Sequence, residues 1–318
     1  GADGAPALNL RDSEGKTRLA MGITGEDKTA LGFYDRAGFA RAATVVEGDG
    51  TAKLGVYGSD GAASAVLGTS TDGSTELGLY DAEGQSRTVL GAAPDGSSTL
   101  QFYDTNGVTR AVFAARPDGE SRVAFHDIAG EPRAVVGTGA DGAPALGLRD
   151  AAGTPRMAMA LAEGGAPGLS LYDENSQGRA AFDVSPEGVA RIEFVDAAGT
   201  TRTAMGAPAT GGASLSLRDN QGTKRIALSV LEQGISMAFF DAESTPQVSL
   251  GAETGMMPGL SFYTEDGGDT LAVLGINPEQ NPLMVFKNPR GEVIWRAGSQ
   301  ALQQQVPIGP IQPPGVAQ

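Results

Sequence analysis

Cysteine is missing from the 318 residues, and histidine and tryptophan occur once each, as His126 and Trp295. Without cysteine there are no disulfide staples, no thiol catalysis and no cysteine-ligated zinc or iron–sulfur centre. A single histidine leaves almost no material for nucleophile–base pairs. Long apolar runs are also missing: nothing approaches the roughly 18 residues of a spanning helix. Positive charge is in deficit, with 23 Lys and Arg against 38 Asp and Glu and a net charge of −15. That balance argues against nucleic acid or anionic lipid as partner, since both attract basic stripes. No G-x-x-x-x-G spacing continues into the Lys and Ser or Thr of a phosphate loop. No residue is therefore assigned as catalytic, cofactor-binding or metal-binding, no cofactor is expected, and the chain is read as not an enzyme.

Glycine is abundant, at 47 residues, and 40% of the chain is apolar. The glycines lack collagen's every-third spacing and fall at fixed offsets, which marks them as turn residues. The offsets belong to a 23-residue period. Aligned on one apolar position, the copies place there Leu8, Leu31, Leu54, Leu77, Leu100, Val123, Leu146, Leu169, Ile192, Leu215, Ala238 or Met237, Leu260 and Leu283. Thirteen copies fill residues 1–298, and residues 299–318 form a Pro/Gln-rich tail expected to be extended or disordered. "GADGAPALNLRD" at the start nearly duplicates "GADGAPALGLRD" at 139–150. The start thus reads as a processed or engineered boundary, with room for a removed signal or anchor.

Each copy carries two alternating apolar runs separated by turns such as "DAEG" and "PDG". Alternation of period two bounded by Gly, Pro and Asp predicts two short strands per copy, about 26 in all, and excludes a helical stripe. Read as a three-residue hairpin loop, "PDG" places Leu90 opposite Leu100 and Thr88 opposite Phe102. Read as a four-residue loop, "DAEG" sets Leu79 opposite Ser86 and Leu77 opposite Thr88. Either way the large apolar side chains share one face. The other face carries glycine columns, Gly32, Gly55 and Gly78 on first strands and Gly22, Gly68, Gly91 and Gly137 on second strands. These are expected either to admit another backbone or to relieve crowding. The fold class is all-β, an antiparallel hairpin meander coiled into a tube, solenoid or oligomeric prism. Parallel β-arches remain an alternative, and a membrane barrel is disfavoured by the short strands and recurrent arginine.

Three columns carry polar chemistry. Asp12, Asp35, Asp81, Asp104, Asp127, Asp150 and their successors each open a turn, where a carboxylate caps backbone N–H groups; calcium is the competing reading. Arg18, Arg41, Arg87, Arg110, Arg133, Arg156, Arg179, Arg202 and Arg225 follow the aspartates by six residues. They suggest a ladder of Arg–Asp and cation–π contacts, with Arg87 across from Gly78 and beside Tyr103. His126 stands in a column otherwise held by Tyr34, Tyr80, Tyr103, Tyr172 and Arg149, and is read as a surface substitution. Phe286 and Trp295 are expected to cap the last copy.

"LYDAEGQSR" and "FYDTNGVTR" resemble the Tyr-Asp repeats of bacterial toxin shells and teneurin-like proteins, sharing the Tyr-Asp-x-x-Gly turn over about five residues per copy. The repeat length is similar to that of curli-type fibre subunits. The full pattern, through "NPRGEVIWRAG", resembles bacterial tandem β-repeat proteins that bring no assigned activity with them. The expected role is structural: an extracellular or cell-surface β-repeat protein that self-assembles into, or decorates, a filament, sheath or surface layer. The expected partner is itself, as a homo-oligomer or filament, with the tail reaching a neighbour as strand or clamp. The alternative is a trimeric phage-type fibre or adhesin that binds glycan or a cell surface.

Overall fold

The structure, a computed structural model, describes residues 6–23, 27–209, 211–232, 234–253, 258–276 and 281–298. The proline-rich tail and its clamp role lie outside the described residues. The fold is all-β: 26 strands and a 3₁₀ turn at Glu163–Gly165 among the described residues. The chain divides into two units, residues 1–165 with 174–176, and residues 166–173 with 177–318. In the first unit fourteen strands, Ala7–Arg11 to Pro155–Leu161, pair antiparallel in chain order. In the second, twelve strands from Pro167–Tyr172 to Val293–Gly298 do the same. Consecutive strands are thus hairpins and not arches.

The 23-residue period has a simple anatomy. In one copy, a six-residue strand Thr75–Tyr80 and a seven-residue strand Ser86–Ala92 are joined and followed by loops of equal length, 81–85 and 93–97. Both loops have the same backbone. Asp81 N–H bonds the Gln85 carbonyl and Gly84 N–H the Asp81 carbonyl; Ala93, Ser97 and Gly96 repeat the pattern. Gly84 and Gly96 have φ of 75° and 87°. That left-handed region suits glycine, which lacks the Cβ that disfavours it elsewhere.

The period is odd because the longer strand carries one extra residue. Leu79 pairs with Thr88 but Tyr80 pairs with Ser86, so a β-bulge absorbs Arg87. The bulge corrects the register expected for "DAEG": Leu79 faces Thr88 and not Ser86, and Leu77 faces Leu90 and not Thr88. The error is two residues, so the side-chain parity survives. Across the "PDG" loop the expected pairs form, Leu90 with Leu100 and Thr88 with Phe102.

Two late copies depart from 23. Met237, and not Ala238, shares the apolar column, pairing with Leu228 and Leu250. A hairpin turned between Leu231 and Gly234 shortens that interval. The last column position is Met284, paired with Leu274, and not Leu283. There the loop closes from Thr264 N–H to the Asp269 carbonyl, one residue longer than its equivalents, because Gly267 is followed by Gly268.

Pairing by strands sorts the side chains cleanly. In the first unit every described strand position on the face of Leu77 and Leu90 is uncharged: Leu, Phe, Met, Ile, Val, Ala, Thr, Ser or Pro. Its charges project from the opposite face or from the turns. The apolar face is nevertheless open. Leu54 is 46% exposed, Leu90 49% and Phe125 53%, and Ala124 is the sole buried hydrophobic residue among those described. Among the described residues of each unit the strands form a single β layer, and its apolar face lacks the second layer with which two-layer domains cover theirs.

Candidate functional site

The polar face is built at the strand–turn junctions. Asp104 Oδ1 accepts from Asn106 N–H at 2.8 Å and Val108 N–H at 3.0 Å. The same pair of bonds recurs at Asp81, Asp127, Asp150, Asp196, Asp219 and Asp241. This is the capping role expected of the column. It leaves the second oxygen for arginine. The Val108 N–H foremost, with Asn106 N–H and the nearby Arg110 and Arg87 charges, outweighs desolvation and holds the Asp104 carboxyl below its usual range. At Asp127 the Glu131 N–H leads, followed by the Arg133 side chain. Among the described residues no three acidic or histidine side chains cluster as a cation site would need.

Arginine at the bulge links one copy to the next. Arg133 donates from Nε to Asp127 Oδ2 at 2.7 Å, and its two other nitrogens reach the Asp150 carbonyl and, at 2.9 Å, the Ala151 carbonyl. Arg87 bonds Asp81 and the Asp104 carbonyl, and Arg41 bonds Asp35 and the Gly58 carbonyl. Each guanidinium so ties its own turn to the corresponding turn one repeat later, using the fixed fork of donors that lysine lacks. Gln247 replaces arginine and keeps both links, to Asp241 Oδ2 at 2.9 Å and the Glu265 carbonyl at 3.3 Å. Other rungs vary: Arg179 and Arg202 donate from Nε to the Val195 and Arg218 carbonyls, Ser64 replaces arginine, and Arg18 and Arg110 each have a buried Nη1 without a hydrogen-bond partner. The expected placement of Arg87 across from Gly78 is also corrected, since Val89 faces Gly78. The described cation–π pairs are Arg41 with Phe39 and Lys224 with Phe240; no tyrosine takes part, and Phe240 stands in the tyrosines' column, directly before Asp241.

The glycine columns make room for the sheet's own atoms. A Cβ on Gly32, Gly55 or Gly78 would meet the ring of Tyr34, Tyr57 or Tyr80 within 3.0 Å. Each tyrosine lies back along its strand over the glycine two residues earlier. On the second strands a Cβ on Gly137 would stand 2.3 Å from the Ser121 carbonyl oxygen, and on Gly251 2.7 Å from that of Ile235. Crowding relief is therefore the explanation at these positions. His126 follows the tyrosines: it ends its strand, lies two residues after the buried Ala124, and has an unpaired, buried Nδ1. Phe286 and Trp295 pair across the last hairpin with ring centres 5.4 Å apart.

Sequence reasoning missed Tyr57, because Gly58 replaces the aspartate that marks the column, though Tyr57 stands 23 residues after Tyr34. It also missed a second carboxylate set: Asp49, Asp72, Asp95, Asp118 and Asp141 accept from the N–H two residues on. Their 23-residue spacing was the available signal. A shallow polar groove of about 380 Å³ on this face is lined in part by Gln101, Arg122 and His126. No helix among the described residues is long and apolar enough to cross a membrane.

Neither a scan against protein families nor a search of curated proteins found a match. Among solved structures, the wild-type TCP10 domain of Danio rerio CPAP is similar at 13% identity and a TM-score of 0.35, over 64% of this chain and 96% of that one. TcdB2-TccC3 without its hypervariable C-terminal region is similar at 12% identity and a TM-score of 0.20, over 92% of this chain and 22% of that one. Scores this low establish no shared fold, and no property of this chain is taken from either.

Proposed function

We propose that the chain is a structural protein, related to bacterial tandem β-repeat proteins and not an enzyme, which self-assembles at the cell surface or outside the cell into a filament, sheath or surface layer. The observation that carries this reading is the uncharged apolar face, exposed strand after strand. Monomeric soluble proteins rarely leave contiguous apolar patches beyond a few hundred Å², and larger ones mark association surfaces. The regular Asp–Arg linkage supports it, since it stiffens a scaffold without presenting a reactive group. Sedimentation velocity with negative-stain electron microscopy of the purified chain tests the proposal. Ordered oligomers or filaments are expected, and a monodisperse monomer at all accessible concentrations would overturn it.

The second reading, a fibre or adhesin that binds glycan, is favoured by the polar groove with Gln101, Arg122 and His126. A glycan array separates the two: specific binding lost in Arg122→Ala, by a chain that does not polymerise, would select it.

A further inference from the structure

The apolar face of the first unit has a relief, not only a composition. In the column beside the central leucines, large and small residues alternate strand by strand from Thr29–Tyr34 to Pro144–Arg149, and the large Leu19 and Met157 end the alternation on either side. Phe33, Val56, Leu79, Phe102, Phe125 and Leu148 stand on the six-residue strands and are between 38% and 53% exposed. Between them, on the seven-residue strands, stand Ala42, Ala65, Thr88, Ala111 and Ala134. The register sets each small residue directly opposite two large ones. Ala65 pairs with Val56 and Leu79, Thr88 with Leu79 and Phe102, and Ala111 with Phe102 and Phe125. Ridges therefore repeat every second strand, at about 9.6 Å, with grooves floored by methyl groups between them.

Sheets that pack face to face interdigitate their inner side chains across about 10 Å. A surface corrugated at a two-strand pitch fits best against another with the same pitch. A rigid flat surface would rest on the ridges and leave the grooves empty, and such voids forfeit dispersion contacts. A second copy of this chain supplies the matching pitch. Shifted by one strand, its ridges fall on these grooves.

Area and charge agree with that occupant. The eleven strands that carry the relief, about 4.8 Å apart and about 20 Å long, present a face of about 1,050 Å². Two such faces bury about 2,100 Å² of projected area, at the lower end of the range of obligate homodimers. The first unit's strands place no Lys, Arg, Asp or Glu on this face, so no charge is stranded at the contact. In the second unit small residues persist at Ala180, Thr203 and Ala272 but give way to Ile226, Val248 and Trp295, so the longest unbroken relief belongs to the first.

We infer that the first unit's apolar face binds the same face of a second copy, ridges into grooves. The inference rests on the self-assembly reading above and names its contact surface. Sedimentation equilibrium of the full chain and three variants tests it, with far-ultraviolet circular dichroism to verify strand content. Wild type should self-associate, and Phe102→Glu should weaken association at least 100-fold. The double variant Ala65→Phe, Ala111→Phe fills two grooves and should weaken association at least tenfold although it is more apolar. Asn9→Lys, which charges the edge strand on the opposite face, should leave it unchanged. Should Phe102→Glu lose strand content, Leu79→Thr carries the same expectation. Equal or tighter association of the groove-filled chain would overturn interdigitation. Association lost in Asn9→Lys but kept in Phe102→Glu would move the contact to the strand edge, refuting this inference and leaving self-assembly standing. A monomeric wild type would sink both.

Discussion

Gly91 and Gly96 lie five residues apart in one copy, and the structure gives their alanine variants opposite signs. Gly96 sits in the loop with φ of 87°, and a Cβ there meets nothing within 4 Å. Alanine would clash with no neighbour, so its cost is that of holding an L-residue in the left-handed region, about 1–2 kcal/mol. Gly91 lies in an extended strand, and a Cβ there makes ordinary contacts, 3.7 Å from Thr99 Oγ1 and 3.8 Å from the Thr75 carbonyl oxygen. Removing its excess freedom in the unfolded chain stabilises by about 0.4–1 kcal/mol. Because repeat arrays open locally, native-state hydrogen exchange is the fitting assay. The reporters are the Ala93 and Gly96 amides, which bond the Ser97 and Ala93 carbonyls. In Gly96→Ala, protection of the amides that close this loop should fall about 5- to 30-fold, and in Gly91→Ala it should hold or rise about 2- to 5-fold. Gly137 is the control from the same column as Gly91: its Cβ would stand 2.3 Å from the Ser121 carbonyl oxygen, so alanine there should lower protection. Neutral behaviour of Gly96→Ala, or equal effects at Gly91 and Gly96, would refute the loop and column geometry together.

Arg133→Ala should lower the melting temperature more than Arg110→Ala, because Arg133 bonds two turns while Arg110 has an unpaired Nη1; the reverse order by circular dichroism would remove the ladder from the account. The turn carboxylates of Asp104, Asp127 and Asp196 are held below their usual range, first by the backbone N–H groups of Val108, Glu131 and Thr200. A depressed carboxylate stabilises the folded state above its unfolded pKa, and that stability drains as pH falls through the folded value. Urea midpoints should therefore hold steady above about pH 5 and fall below about pH 4, less steeply in Asp127→Asn. A midpoint flat to pH 2 would contradict the capping role.

Much of the fold was legible because repetition multiplies each weak signal. One Asp-Gly pair is a plausible turn; recurring every 23 residues from Asp49 to Asp141 beside alternating leucines, it fixes strands, parity and hairpins. What escaped was local and non-repetitive. Arg87 gave no sign that it was a bulge residue, since a bulge changes hydrogen bonding and not side-chain type. The displaced columns at Met237 and Met284 follow from one shortened turn and one added glycine, to which a fixed-period alignment is blind. The glycine columns were legible as columns, yet their cause needed coordinates: ring over glycine at Tyr34 and Tyr80, carbonyl beside glycine at Gly137. Least legible was exposure. Alternation shows that Leu54 and Leu90 share a face, and it is silent on whether anything covers them.

Methionine oxidation examines that last point directly. Met21, Met159 and Met205 project from the apolar faces and are each 48% exposed. Thioether oxidation follows access. Limited peroxide treatment read by mass spectrometry should oxidise all three readily in dilute chain, and Met21 and Met159 progressively more slowly as protein concentration rises and faces pair. Slow oxidation at every concentration, with native strand content retained, would place these side chains in a closed core and contradict the open face.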